Sequence, residues 1–273
     1  MRRLTHPHLV LFAGLLLGLT PTRADAPPIP SAAAIRDVLV HNFQKDQEAV
    51  LRYSYLEHIV SLRNGVRDGR TLYVYFINGR PVSETVALDN RPLRPDERVA
   101  EHRRALQRAR DAAAKPPAPA NYVEVNNKRY SFEKLADDFQ YGPARLDTWQ
   151  GRPTWVFPAT PVPGLRSGSA EEQMLLTSRG EIWVDVADRH VVRVRVHTIA
   201  PVRYYLGLGA VIHSASVDLE LHRHQPGEWL PAATNLEINA TVLLVKTIVQ
   251  SKQTTFSDFK PLVAAPVAKL ARR

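Results

Sequence analysis

The sequence predicts a mainly β, α+β domain built on antiparallel strands, and three observations carry that reading. Short blocks of alternating apolar and polar residues recur through most of the chain after residue 50, the period of a strand with one buried face. Glycine, proline and asparagine punctuate the blocks at short intervals, so successive strands must turn back on one another. Only two long stretches carry the three-to-four spacing of an amphipathic helix.

In chain order, Ser31 can cap a helix whose Ile35, Val38, Leu39 and Phe43 fall on one stripe. Strand patterns follow at 51–62, where Tyr53 and Tyr55 alternate with polar neighbours, and at 71–77. Asn78-Gly79 predicts a type I′ hairpin into 82–88, because both central residues of that turn need positive φ. Residues 94–115 read as a second helix: Pro95 sits where a missing amide costs least, Asp96 and Glu97 fill the first turn, and Pro116-Pro117 ends it. Its thin stripe of Val99, Leu106, Ala109 and Ala113 leaves Arg103, Arg104, Arg108 and Arg110 to water. The helix with its Pro/Ala linker to 120 reads as an excursion from a single domain. A short helix at 132–138 capped by Ser131, strands at 145–149 and 154–160, a loop at 161–173, and strands at 181–186, 191–199, 211–222, 230–241 and 242–253 complete the order. In the hairpin 181–199, pairing residue 186 with 192 gathers Ile182, Val184, Val186, Val192, Val194 and Val196 on one face. That register sets Asp185 opposite Arg193 and Trp183 opposite Arg195.

The N-terminus reads as a signal for export. Arg2 and Arg3 precede an uncharged apolar run, Leu9 to Leu19, which has the length of a signal-peptide core and falls short of the roughly 18 residues of a membrane span. Cleavage after Ala24 leaves a domain at 25–262 and a short basic tail at 263–273, expected to be disordered. It also leaves 33 of the 36 basic residues against 27 acidic ones, a net charge of +6. That charge is scattered rather than gathered with aromatics on one face, so no nucleic-acid partner is expected. With no cysteine, neither lipidation of the new N-terminus nor a disulfide is open to the chain.

No G-x-S-x-G elbow, H-E-x-x-H helix, P-loop or cysteine nucleophile occurs, which removes the signatures of the commonest hydrolase and nucleotide chemistries. Asp137-Asp138 and Glu171-Glu172 are adjacent pairs that cannot share a face on a helix or strand. Asp218, Glu220, His222 and His224 do share a strand face, but span about 20 Å at roughly 3.3 Å per residue. Only the two histidines could chelate together, so no metal and no cofactor are expected. Tyr204, Tyr205, Leu206, Leu208, Val211 and Ile212, interrupted by Gly207 and Gly209, form an apolar segment between strands. It can be read as a bend in a buried strand or as the lip of a cavity.

The run Gly180-Glu181-Ile182-Trp183-Val184-Asp185, followed by Val191-Val192-Arg193-Val194, resembles the G-x-(I/L)-W-(V/I)-D hairpin of outer-membrane lipoprotein-sorting (LolA-like) proteins. Gly151-Arg152-Pro153-Thr154-Trp155-Val156 and Phe256-Ser257-Asp258-Phe259 resemble theirs as well, and the likeness is closest to uncharacterised secreted members. The resemblance implies a long curved antiparallel half-barrel with helices against its concave face, enclosing an apolar space. It implies a non-enzymatic envelope protein, periplasmic or else extracellular, that binds or carries a lipid-like ligand such as an acyl chain or lipoprotein. The alternative it leaves open is an envelope sensor or scaffold that acts through protein contacts. On the carrier reading, the six apolar residues from Tyr204 to Ile212 become candidate ligand contacts.

Mature protein recovered from the cell envelope is expected to begin at Asp25, as N-terminal sequencing will read. An intact Met1 on most molecules would contradict export by cleavage.

Overall fold

The computed structural model describes residues 28–118, 122–125, 128–204, 209–243 and 245–262. The expected leader at 1–24, the expected basic tail at 263–273, and Tyr205, Leu206 and Leu208 lie outside the described residues. Helix α1 (Ala32–Val50) leads into β1 (Tyr53–Arg63), β2 (Val66–Ile77), β3 (Arg80–Leu88) and the two-residue β4 (Arg91–Pro92). Helix α2 (Pro95–Ala113) follows, then a separate ladder of β5 (Tyr122–Val125) and β6 (Lys128–Ser131) that the alternation did not reveal. After α3 (Phe132–Asp137) come β7 (Phe139–Tyr141), β8 (Arg145–Trp149), β9 (Arg152–Pro161) and α4 (Ala170–Leu176). The chain finishes with β10 (Ser178–Asp185), β11 (His190–Thr198), β12 (Val202–Tyr204), β13 (Ala210–Gln225), β14 (Glu228–Val242) and β15 (Lys246–Pro261).

Thirteen strands share one antiparallel, curved half-barrel sheet in the order β4-β3-β2-β1-β15-β14-β13-β11-β10-β9-β7, with β12 on β13 and β8 on β9. Two meanders meet at its centre, where β15 pairs with β1 from Tyr53 opposite Pro261 to Arg63 opposite Gln250. Following the ladders across one face gives the row Phe157, Ile182, Val194, Leu219, Thr234, Thr254, Ile59. This is the concave face, which α1 covers by seating Ile35 and Leu39 among Trp155, Phe157, Ile182, Val184 and Val191. Ser31 Oγ caps α1 by accepting from the Ala34 amide at 3.2 Å.

Several elements differ from the expectation for identifiable reasons. The hairpin of β10 and β11 pairs Ile182 with Val194 and Trp183 with Arg193, then Val184 with Val191 and Asp185 with His190 across a bulge. The register is therefore slipped by two from the 186–192 pairing, and the bulge turns Val192 to the outer face, where it packs with Val156, Trp183, Leu221 and Trp229. A tight turn drives the slip, since Asp185 Oδ1 accepts from the Asp188 amide at 2.8 Å. Asp185 consequently pairs with Arg152, at 2.5 and 2.9 Å, and not with Arg193. Arg193 lies 4.1 Å from the Trp149 ring centre and 5.0 Å from that of Trp183, and it binds Asp218. Arg195 is beside Trp183, at 5.7 Å, although it is not directly opposite. Helix α4 occupies the end of the expected 161–173 loop, started by a Ser169 side chain that accepts from the Glu172 amide. Strand β14 ends at Val242 and β15 begins at Lys246, later than expected, and β15 runs on through Phe259.

Helix α2 also turns a different face to the sheet. Its buried positions are Glu101, Ala105, Ala109 and Ala112, while Val99 is 60% exposed. Ala109 and Ala112 pack on Tyr75, Ile77 and Val82. Tyr75 and Ile77 alternate with Val74 and Phe76, which share the face of Tyr55, so α2 lies on the side opposite α1. Glu101 and Arg108 saturate the free edge of β3: Glu101 Oε1 accepts from the Thr85 amide at 3.1 Å, and Arg108 donates twice to the Ser83 carbonyl, at 3.0 and 2.7 Å. Arg108 thus faces the strand rather than water. Asn78, at the β2–β3 turn with φ 51°, donates to the carbonyls of Ala113 and Lys115 and so ends the same helix.

Burial pushes the Glu101 carboxyl up, but the Thr85 amide and the guanidiniums of Arg104 and Arg108 outweigh it and hold the group below 4.5. The Asp185 carboxyl is likewise raised by burial and lowered further by Arg152, to below 3.8. Both groups stabilise the fold above those unfolded-state values, and the contribution is lost as pH falls through the lower folded values. Glu101→Ala is expected to lower the unfolding free energy at pH 7 by about 2 kcal/mol, because the Thr85 amide and Arg108 lose their acceptor. Urea titration should show a smaller fall in stability from pH 7 to acid for this variant than for wild type. Light scattering should show self-association through the uncovered β3 edge.

Candidate functional site

Helix α1 packs on the sheet through Ile35 and Leu39 near its start and through Ala49 near its end, while the face that carries Phe43, Gln47 and Val50 borders a groove. Phe43 stacks on Phe132 of α3 with ring centres 3.9 Å apart and planes within 6°. Arg36 ties the two helices again through Asp137 at 2.8 Å and Glu133 at 3.2 Å. Together α1 and α3 roof an open apolar groove of about 410 Å³. Its floor is made by Ile182, Val194 and Leu219 from one ladder row and by Ala159, Gly180, Val196 and Val217 from the next. Gly180 is required there, since a Cβ would stand 2.9 Å from the Arg195 carbonyl oxygen. Leu39, Phe43, Val50, Phe132, Leu135 and Phe139 line the roof and side. Val217, 39% exposed, marks the open end.

Asn42, Asp46 and Tyr141 of the lining are engaged in structure. Asn42 Oδ1 accepts from the buried Val191 amide at 2.7 Å. Tyr141 donates to the Ala136 carbonyl at 3.0 Å, and burial, with Asp137 nearby, pushes its hydroxyl up to about 12. Asp46 meets His190 Nε2 at 2.9 Å, and its carboxyl is raised by burial although His190 pulls it down. His190 lies behind the groove wall, stacked on Trp229 at 5.4 Å. Such a lining can exclude water from an apolar chain; it aims no nucleophile and base into the space among the described residues. Two other depressions, one at Ser131, Lys134 and Glu172 and one at Arg67, Glu237 and Lys252, mix charge with apolar groups.

Of the segment singled out in the sequence, the described residues Val211 and Ile212 do not form the floor. Val211 and Ile212 pair with Arg203 and Val202 of β12, and neither lines the groove. Tyr204 closes β12 opposite Ala210, and Tyr205, Leu206 and Leu208 are outside the described residues. The lining residues that sequence reasoning missed, Leu39, Phe43, Val194, Val196, Val217 and Leu219, carry the right signal, an apolar stripe and apolar alternation. That signal cannot tell a core position from a groove position. Asp218 and Glu220 face Arg193 on the outer side. His222 and His224 cluster with Phe259, and among the described residues no three ligating side chains gather around a common point. No described helix is long and apolar enough to cross a membrane.

No family model matches the chain, and no curated protein matches it. Among solved structures it is similar to a DUF1329 family protein from Desulfovibrio piger, at 12% identity over 87% of this chain and 95% of that one, with a TM-score of 0.39. It is similar to an outer membrane lipoprotein-sorting protein domain from Vibrio parahaemolyticus, at 9% identity over 86% and 96%, with a TM-score of 0.35. It is also similar to a chain of the Pseudomonas aeruginosa MucA/MucB complex, at 11% identity over 84% and 99%, with a TM-score of 0.25. At these identities and TM-scores the likenesses carry neither activity nor partner across to this chain.

Proposed function

We propose that the protein is a non-enzymatic, exported binder or carrier of a lipid-like molecule, and that the groove beneath α1 shelters an acyl chain. The observation that carries this reading is the groove itself: about 410 Å³, lined almost wholly by apolar side chains, with Asn42, Asp46 and Tyr141 already hydrogen-bonded. Burying acyl carbon contributes roughly 0.8 kcal/mol per methylene, so ten methylenes supply about 8 kcal/mol before the costs of ordering. Affinity of that kind needs no polar recognition, which fits a chain without a site motif.

Native mass spectrometry of protein purified from its own envelope is expected to show retained acyl mass, and the purified protein is expected to take up a fluorescent fatty acid. Leu219→Trp should displace about three methylenes' worth of ligand, weakening uptake by roughly fiftyfold at about 2.4 kcal/mol, while the melting midpoint stays near wild type. A wild-type protein that retains no acyl mass and takes up no probe would end the carrier reading in favour of an envelope scaffold working through protein contacts.

A further inference from the structure

The end of the sheet toward which the groove opens carries exposed aliphatic side chains that the groove reading does not use. Asn64, at the β1–β2 turn, donates its amide to the Val249 carbonyl at 2.9 Å and accepts from the Val249 amide through Oδ1 at 2.8 Å. Two hairpins are thereby fixed side by side, and the β14–β15 tip projects beyond the other, since Val242 still pairs with Lys246 past that contact. Val245 is 86% exposed, Val66 72%, Leu243 69% and Val249 54%. Isolated surface aliphatics are ordinary; several on two adjoining tips are not.

The charge at the apex of the two tips has one sign. Residues 62–67 and 243–250 contain Arg63, Arg67 and Lys246 and no aspartate or glutamate. All three basic side chains belong to exposed residues. The nearest carboxylates along these strands, Asp68 and Glu237, sit opposite Ser61 and Ser251, farther from the apex. Protruding leucine and valine with flanking cations, and without the buried aromatic anchors that dominate protein interfaces, match a surface that is apolar below an anionic layer. We propose that these paired tips dock the protein on an anionic lipid bilayer. The groove opens toward the same end: along β13, Leu221, Leu219 and Val217 lead toward Ala210, which pairs with Val242 at the tip. Docking there would turn the groove's mouth toward the membrane.

Flotation of the mature protein with vesicles of phosphatidylethanolamine and phosphatidylglycerol, against vesicles of phosphatidylcholine alone, tests this. Binding to the anionic vesicles is expected, weakening as salt is raised. Leu243→Asp with Val245→Asp should reduce it at least tenfold, and Arg63→Gln, Arg67→Gln and Lys246→Gln together should abolish the preference for anionic lipid. Circular dichroism melts should match wild type, because all five side chains are exposed. A wild type that floats with neither vesicle, or a Leu243/Val245 variant that binds as wild type does, overturns the proposal. Neither result bears on acyl uptake by the groove, which Leu219→Trp reports separately.

Discussion

The placement of α1 rests on a buried amide that the sheet cannot pair. Strand β13 follows β11 only from His197 to Arg193, so Val191 lies past the last rung of that ladder. An unpaired buried N–H costs about 1–3 kcal/mol. Asn42 supplies the acceptor from the middle of α1, and Asp46, one turn on, takes His190. These two bonds fix the rotation of the helix about its axis. With Asn42 and Asp46 turned to β11, Ile35 and Leu39 fall on the Trp155 cluster and Phe43 falls on Phe132. A helix held by apolar contacts alone could slide or roll at little cost; one held by buried polar contacts cannot.

The two faces of the sheet solve different problems. The inner face needs a cover and has α1 and α3. The outer face of the second meander covers itself, because Arg193 lies over Trp149 and Trp183 while Asp218 draws in both Arg193 and Arg195. The stems of the arginines shield indole carbon and their heads stay paired. Burial pushes the Asp218 carboxyl up, yet the two guanidiniums outweigh this and hold it below its ordinary value. At the first meander, α2 does the equivalent work on the outer side while also closing the edge at Ser83 and Thr85.

Much of this was legible in the sequence, and the failures share a cause. The type I′ turn at Asn78-Gly79, the Ser31 cap and the faces of Ile182, Val184, Val194 and Val196 depend on local chemistry or on a period of two, and the structure has them. Register does not depend on that period: a slip of two residues preserves every face, so valine alternation could not distinguish 186–192 from the pairing that forms. The bulge that sends Val192 outward is invisible to alternation altogether. In α2, the stripe with most apolar residues lost to one with alanines and a glutamate, because the free main-chain groups of β3 needed Glu101 and Arg108. Helix α4 was readable, since Ser169-x-x-Glu172 is a capping signal, but the prolines and glycines before it drew the eye to a loop. The groove was not readable. Its residues look like core, and whether apolar side chains meet each other or enclose a space is decided by the curvature beneath them.

That curvature accounts for the groove. A 19-residue helix is a rod about 28 Å long at 1.5 Å per residue, and it crosses a floor that bends. It touches where Ile35 and Leu39 meet β9 and β10, and again where Ala49 packs with Tyr53 and Leu230 at the start of β14. Beside these contacts and the bonds of Asn42 and Asp46 to β11, the straight rod leaves the curved sheet on the side of Phe43, Gln47 and Val50, and the gap there is the groove. Filling that gap from within would require bending α1, breaking its hydrogen bonds, or larger side chains at Gly180, Val194 and Val217. The Arg195 carbonyl forbids the first of these replacements. Water gains little there, because a site lined mainly by apolar side chains, with Asn42, Asp46 and Tyr141 already engaged, offers it few partners. A flexible apolar chain suits such a space better, since it can follow the arc where the helix cannot.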